Sequence, residues 1–466
     1  MRNEQNFLKS IRHTPAKGFF ERPFQTRRHF FRVLGAGIAG SAILGRPAIG
    51  QDLVQRSGAA TLGKAKNTVM VLLAGAPSHV DTFDFKETPD SPMNLLAPET
   101  IGDIRWPTGL MPKLASNVPD MAIVRSVRPW ALQHNLSQAW VQIGRSPAGA
   151  LGDIAPNIGT IVAIEKEPER QKGQVFPSFL ALNSGAGVGA GYLSADFAPF
   201  KIDPAAAGLP DTINPDSPGA DTTRFDNKYA LLMDLDKPLR TPANIYGKEM
   251  GDYHNFYENG KAMMYNQSVN QAFRFTQDEA AKYGSTGFGN ACLTTAKVLA
   301  ARGGTRYVQI TLGSWDHHNT IYSPNTLPAM CRQLDNGLSQ MIKDLKASGM
   351  WDETLLVVMG EFGRTTGKLT GTAGRDHWSQ QFAMLAGAGI QGGRAIGKTD
   401  DAGADTVEAG WSRDRYVRFE DIESTIYSAM GIDWTSVRYD DPFKRGFYYV
   451  PESNNDVYGP INELWG

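Results

Sequence analysis

A chain of 466 residues, 41% hydrophobic and 20% charged, can bury a core of its own without disulfide staples. Its two cysteines, Cys292 and Cys331, exclude a disulfide framework and a Cys-rich zinc site, leaving a single bridge or two free thiols. The formal charge of −1 conceals an asymmetry: residues 1–50 carry nine Lys/Arg against two Asp/Glu, and without that surplus the remainder stands at −8, which gives no electrostatic reason to expect nucleic-acid binding.

The first fifty residues read as an export address. Thr26-Arg27-Arg28-His29-Phe30-Phe31-Arg32 precedes an apolar run from Val33 to Leu44, too short to span a bilayer but suited to a signal h-region. Ala48 and Gly50 supply small side chains before a cut ahead of Gln51. This is the pattern of a twin-arginine signal, whose cargo folds before export; it implies the twin-arginine export machinery as a partner and a periplasmic, secreted or cell-surface location.

Beyond it, the short apolar runs Thr68–Leu73, Ala122–Val127, Ser178–Leu182, Arg306–Leu312, Thr354–Met359 and Gln381–Leu385 read as buried strands. Met330, Leu334, Leu338, Met341 and Leu345 recur at helical spacing, with Gly349 where that helix should stop. Ile422, Ile426, Tyr427 and Met430 mark another amphipathic helix, closed by Gly431. Alternating strands and helices predict one α/β domain over residues 51–466, a mostly parallel central sheet with helices on both faces. Residues 204–287, first rich in Pro, Asp, Asn and Gly and then polar-helical from Thr241, read as an insertion or cap. Gly185–Gly191 has a G-x-G pattern, but no convincing helix follows it, so a dinucleotide loop is a weak reading.

Polar residues cluster where the strands should end. Thr68–Leu73 leads to His79, Asp81 and Asp84; Arg306–Leu312 leads to Asp316, His317 and His318; Thr354–Met359 leads to Glu361 and Arg364; and His377 stands just before Gln381. Ligands of open parallel sheets bind outside the carboxyl ends of the strands, so this convergence points to a metal held by carboxylates and imidazoles. Each residue also has a plainer role. Asp81 or Asp84 would cap a turn, His79 would bond one, and His254 would be structural. Arg364 and Arg125 would be ion-pair partners or would hold an anion. Adjacent His317 and His318 cannot point the same way on extended backbone, which assigns His318 as ligand and His317 behind it.

The segments Ala74-Gly-Ala-Pro-Ser-His-Val-Asp-Thr-Phe-Asp84, Trp315-Asp-His-His-Asn319, Gly360-Glu-Phe-Gly-Arg-Thr365 and Gly374-Arg-Asp-His-Trp378 resemble the alkaline phosphatase superfamily. Within it, they resemble an uncharacterised secreted sulfatase-like family known as a domain of unknown function. The resemblance implies Asp81 as the first metal ligand, Asp316 and His318 as the middle pair, and Glu361 and His377 as late ligands. It sets His134, nine residues before Ile143, at the nucleophile position of sulfatases. Histidine there would serve as nucleophile, base or ligand, with Ser137 as a second candidate nucleophile. Glu361-Phe362 replaces an Asp-His pair, and the middle spacing is Asp-x-His, so one divalent metal (Zn, Mn, Ca or Mg) is expected rather than two.

The reading is therefore a secreted metal-dependent hydrolase of phosphate or sulfate esters, acting on a small-molecule or glycan ester, with Arg364 holding the anionic group. The alternative is a catalytically inactive metal-containing binding or surface-assembly protein of the same fold.

Overall fold

Apolar runs that do not alternate need cover on both faces, and the computed structural model supplies it by burying each run in one sheet. It describes residues 54–185, 187–204, 222–240, 257–258, 260–263 and 266–466. The signal read over residues 1–50, and His254, lie outside them.

The main sheet has eight strands. In chain order they are β1 (Asn67–Leu73), β2 (Met121–Val127), β3 (Phe179–Leu182), β4 (Phe200–Ile202), β5 (Tyr307–Leu312), β6 (Thr354–Met359), β7 (Gln381–Gly387) and β8 (Arg394–Ile396). Their spatial order is β8-β2-β7-β6-β1-β5-β3-β4. Every neighbouring pair is parallel except those of β7, which runs against both β2 and β6. The edge strands β4 and β8, three residues each, were not read from the sequence.

Successive side chains of a strand face opposite sides, so β1 sends Val69, Val71 and Leu73 into one core and Met70 and Leu72 into the other. The first core is roofed by helices Gly287–Ala300 and Leu327–Ala347, the second by helices Ile158–Lys166 and Phe419–Ala429. The fold is thus α/β, with a mostly parallel sheet covered on both faces. In chain order the helices used below are α1 (His134–Ile143), α2 (Ile158–Lys166), α3 (Gly287–Ala300), α4 (Leu327–Ala347) and α5 (Phe419–Ala429). Gly349 and Gly431, just past α4 and α5, adopt the left-handed conformation that ends a helix at low cost.

Cys292 on α3 and Cys331 on α4 are buried free thiols. Within the segment read as an insertion, a helix spans Thr222–Asp236, ahead of Thr241, and helices Gln267–Phe273 and Gln277–Lys282 lie in the polar-helical stretch expected from there on.

Candidate metal centre

Five chain segments meet at the carboxyl edge of the sheet. The exits of β1, β2, β5 and β6 deliver Gly75, His134, Asp316 with His318, and Glu361 with Arg364. Because β7 is reversed, its start lies at that same edge, and the ribbon pairing Gly363–Arg364 with His377–Trp378 brings His377 in just before it.

One nitrogen or oxygen from each of His134, Asp316, His318 and His377 lies within 4.8 Å of every other. Asp316 Oδ1 stands 3.0 Å from His318 Nε2, 3.3 Å from His134 Nε2 and 3.9 Å from His377 Nε2. His318 Nε2 and His377 Nε2 are 3.1 Å apart.

The opposite nitrogen of each ring is held by an oxygen. His134 Nδ1 lies 2.7 Å from Glu361 Oε1, His318 Nδ1 lies 2.8 Å from Asp376 Oδ1, and His377 Nδ1 lies 2.8 Å from the Leu132 carbonyl. These acceptors place the proton on Nδ1, leaving three Nε2 atoms and one carboxylate oxygen facing one another, with the Arg364 guanidinium donating to His318 Nε2 at 3.2 Å and to Asp316 Oδ1. Lone pairs so close together repel unless a cation or proton lies among them, and Arg364 relieves only those of His318 and Asp316. The buried Nε2 of His134, despite its 3.3 Å approach to Asp316, has no hydrogen-bond partner. This donor set fits a single metal ion. Asp316 is exposed, so the centre opens to solvent on that side.

The titration behaviour follows from the contacts. The Glu361 hydrogen bond, ahead of the opposing effect of burial, holds the His134 pKa above the ordinary imidazole value. Burial pushes His377 down. Burial would raise the Asp316 carboxyl, but the hydrogen bond and charge of Arg364, with the charges of His134 and His318, outweigh it and lower its pKa.

Several expected roles are redistributed. Asp81 is not at the metal point: its fully buried carboxylate pairs with the Arg375 guanidinium at 2.7 Å and accepts from Ser78 and Tyr322. A lone buried carboxylate is costly, and Arg375, 294 residues away in sequence, neutralises it. Glu361 is not among the four convergent ligands. Fully buried, it accepts from His134 Nδ1, Gln138 Nε2 and the Gly75 amide, and so acts behind His134. Gly75 has φ +108°, and a Cβ there would lie 2.7 Å from the Asp316 amide nitrogen, so only glycine lets this loop pass so close to the centre.

Arg364 is not free to hold an anion. It is buried, donates to the carbonyls of Gly75, Ala76 and Arg375, to His318 Nε2 at 3.2 Å, and to Asp316, whose carboxylate it orients. Arg125 pairs with Asp84 at 3.2 Å, and Asp84 also accepts from Thr399. His79 is buried and bonds the Gly403 carbonyl. His317 is buried behind His318, with its pKa pushed down to about 4 by burial. The Ser137 hydroxyl is buried and donates to the Ala131 carbonyl at 2.6 Å. His134 stands in the convergent group with Asp316, His318 and His377. Asp376 and the Leu132 carbonyl, both braces of the centre, were missed; Asp376 sits inside a motif already singled out, where its neighbour His377 drew the assignment.

The profile of a family described as "Protein of unknown function (DUF1501)" matches residues 65–444. The chain belongs to the DUF1501 family. No curated protein matched it. Among solved structures, this DUF1501 chain is similar to the lipoteichoic acid synthase LtaP from Listeria monocytogenes, at 11% identity over 88% of this chain and 78% of that one, with a TM-score of 0.37. It is also similar to a protein in the alkaline phosphatase superfamily from Vibrio parahaemolyticus, at 12% identity over 88% and 76%, TM-score 0.35. A third is the PsFucS1 sulfatase from Pseudoalteromonas sp., at 13% identity over 79% and 68%, TM-score 0.36. Likenesses this loose lend nothing to the chemistry of the DUF1501 centre, which rests on its own geometry.

Proposed function

We propose that this DUF1501 protein is a single-metal hydrolase of phosphate or sulfate esters, exported by the twin-arginine route to the periplasm or cell surface. The observation that carries the metal is the convergence of three oriented Nε2 atoms and one carboxylate oxygen. Three imidazoles and a single carboxylate suit Zn²⁺ or Mn²⁺ better than Ca²⁺ or Mg²⁺, which prefer sites made of oxygen. Export is supported by Arg27-Arg28 and the apolar run that follows. Among the described residues no helix is long and apolar enough to cross a membrane.

A bound metal of this kind would polarise an ester oxygen and lower the pKa of a bound water into the neutral range. The protein's own residues supply the rest. His134, His318 and His377 present neutral nitrogens in one fixed tautomer; Asp316 supplies negative charge; Glu361, Asp376 and the Leu132 carbonyl hold the rings; and Arg364 keeps Asp316 in place. With Ser137 committed to Ala131 and His134 to the centre, neither serves as the attacking nucleophile, which leaves solvent in that role. With Arg364 and Arg125 committed, neither clamps the anionic group.

Those same commitments favour a second reading, a metal-containing binding or surface-assembly protein without turnover. Elemental analysis of the folded mature protein, run beside phosphomonoester, phosphodiester and sulfate-ester assays, separates the two. The hydrolase reading expects about one metal per chain and turnover of at least one ester class, both lost in Asp316→Ala. Metal without turnover on any of the three establishes the second reading. Full metal content in Asp316→Ala removes the site itself.

A further inference from the structure

The loop joining β2 to α1, residues 128–133, touches the centre twice. Its Leu132 carbonyl fixes His377, and its end starts the helix whose first residue is His134. The backbone along this loop is pinned. Arg418 Nη1 donates to the carbonyls of Arg128 and Pro129 at 3.0 and 2.9 Å. Ser137 holds the carbonyl of Ala131, and Gln133 caps α1 by accepting from the Leu136 amide.

Trp130 in the middle is 45% exposed, yet it is held: the Arg418 guanidinium lies 3.9 Å from its ring centroid, and its indole N–H donates to both oxygens of Glu420 at 3.1 Å. Glu420 Oε1 also accepts the indole N–H of Trp140 at 2.9 Å, and Trp140 lies on α1 itself. The two indoles stack with centroids 6.0 Å apart.

Glu420 is 3% exposed and is held by the two indole N–H groups rather than by a direct ion pair among the described residues, with the Arg418 guanidinium near enough to feel its charge. Burying a carboxylate without a direct ion pair is expensive, and an apolar side chain here would pack at less cost. What the carboxylate achieves is to tie the loop before α1 and the body of α1 to one point. One turn on, α5 places Glu423 against the other end of α1: a Cβ on Gly144 would meet Glu423 Oε2 at 1.8 Å. The start of α5 is therefore packed along the whole segment that supplies one ligand and the brace of another.

We infer that Glu420 is a positioning residue for the metal centre, acting through Trp130 and Trp140 to set His134 and, by way of Leu132, His377. This rests on the metal reading proposed above, and goes beyond it by assigning the centre's geometry to a helix that contributes no ligand. A carboxylate accepts from both indoles at once; a hydrocarbon from neither.

The test is a titration of the full mature protein with Co²⁺, whose visible absorption reports coordination geometry, beside thermal unfolding of the metal-free form. The variants are Glu420→Leu, Glu420→Gln and the double variant Trp130→Phe with Trp140→Phe, which keeps aromatic rings and removes only the N–H donors. Co²⁺ affinity is expected to fall about tenfold in Glu420→Leu and in the double Phe variant, with an altered absorption band. Glu420→Gln, whose amide oxygen still accepts, is expected to recover most of the affinity. Should Glu420→Leu fail to fold, the double Phe variant and Glu420→Gln carry the comparison. Lower unfolding temperatures with Co²⁺ affinity within twofold of wild type and an unchanged band would show Glu420 to be purely structural and overturn the inference. Wild-type protein that takes up no Co²⁺ would instead remove the metal reading and this inference with it.

Discussion

Replacing Glu361 by Gln should weaken metal binding while leaving every proposed ligand in place. Glu361 Oε1 takes the His134 Nδ1 proton at 2.7 Å and the Gln138 amide proton at 2.9 Å, while the Gly75 N–H reaches Oε1 at 2.9 Å and Oε2 at 3.3 Å. A glutamine whose oxygen takes the place of Oε1 keeps these donors but loses the negative charge that draws the His134 proton. If its NH₂ faces His134, the imidazole is driven to the other tautomer, and its proton moves to the nitrogen that should bind metal. Loss of such a brace typically weakens metal affinity ten- to a hundredfold, about 1.4–2.7 kcal/mol. The pH profile should move as well. The Glu361 hydrogen bond holds the His134 pKa up, and a protonated imidazole cannot ligate, so wild-type affinity should climb with pH until that proton is lost and then level off. In Glu361→Gln the climb should shift to lower pH and its plateau should be weaker. Competition for Zn²⁺ against a chromophoric chelator, repeated across pH, measures both. A dissociation constant within twofold of wild type with an unmoved profile would refute the bracing role. Complete loss of binding at every pH would make Glu361 a ligand after all.

Ser137→Ala should leave metal content and any ester turnover unchanged and cost about 1 kcal/mol of stability, the typical worth of one hydrogen bond; turnover abolished in a folded variant would reinstate a serine nucleophile. Glu423, buried with its pKa pushed up to about 8 chiefly by desolvation, stays protonated in the native state where the unfolded chain has already ionised. The stability it contributes is thus complete below about pH 4.5 and is lost as pH rises towards 8, with a slope of at most about 1.4 kcal/mol per pH unit. Urea unfolding at pH 5.5 and 7.5 should show that fall in wild type and a smaller one in Glu423→Gln; identical falls would mean Glu423 is ionised throughout.

The sheet was legible because its strands are unbroken apolar runs, and α4 and α5 because their apolar residues recur at helical spacing. The edge strands β4 and β8, with three residues each, are too short to carry a period. That Asp316, His318 and His377 come together at the sheet edge was legible because each lies within a few residues of a strand end. Asp81 and Glu361 occupy the same kind of position and were read the same way. What separates them is a partner far along the chain: Arg375 claims Asp81, and the imidazole of His134 claims Glu361 from behind. Arg364 likewise reads as an anion clamp until the backbone carbonyls around it are seen to occupy its donors. Local pattern identifies which residues come to the edge; which way they face depends on pairings that spacing does not encode.

The reversal of β7 has a consequence for how the centre can diversify. Its other contributors leave the sheet at strand exits, whereas His377 enters on the way into a strand, at the end of the excursion that departs from β6. Residues 365–376 are anchored at both ends, by the short ribbon beside the centre and by the Thr365 amide bonded to the Asp376 carbonyl. The second half of that hairpin is tied down, since Thr372 donates to the His318 carbonyl, Arg375 neutralises Asp81 and Asp376 holds the His318 ring, so relatives built on this plan have the turn between Thr365 and Thr372 in which to vary while the base keeps its register.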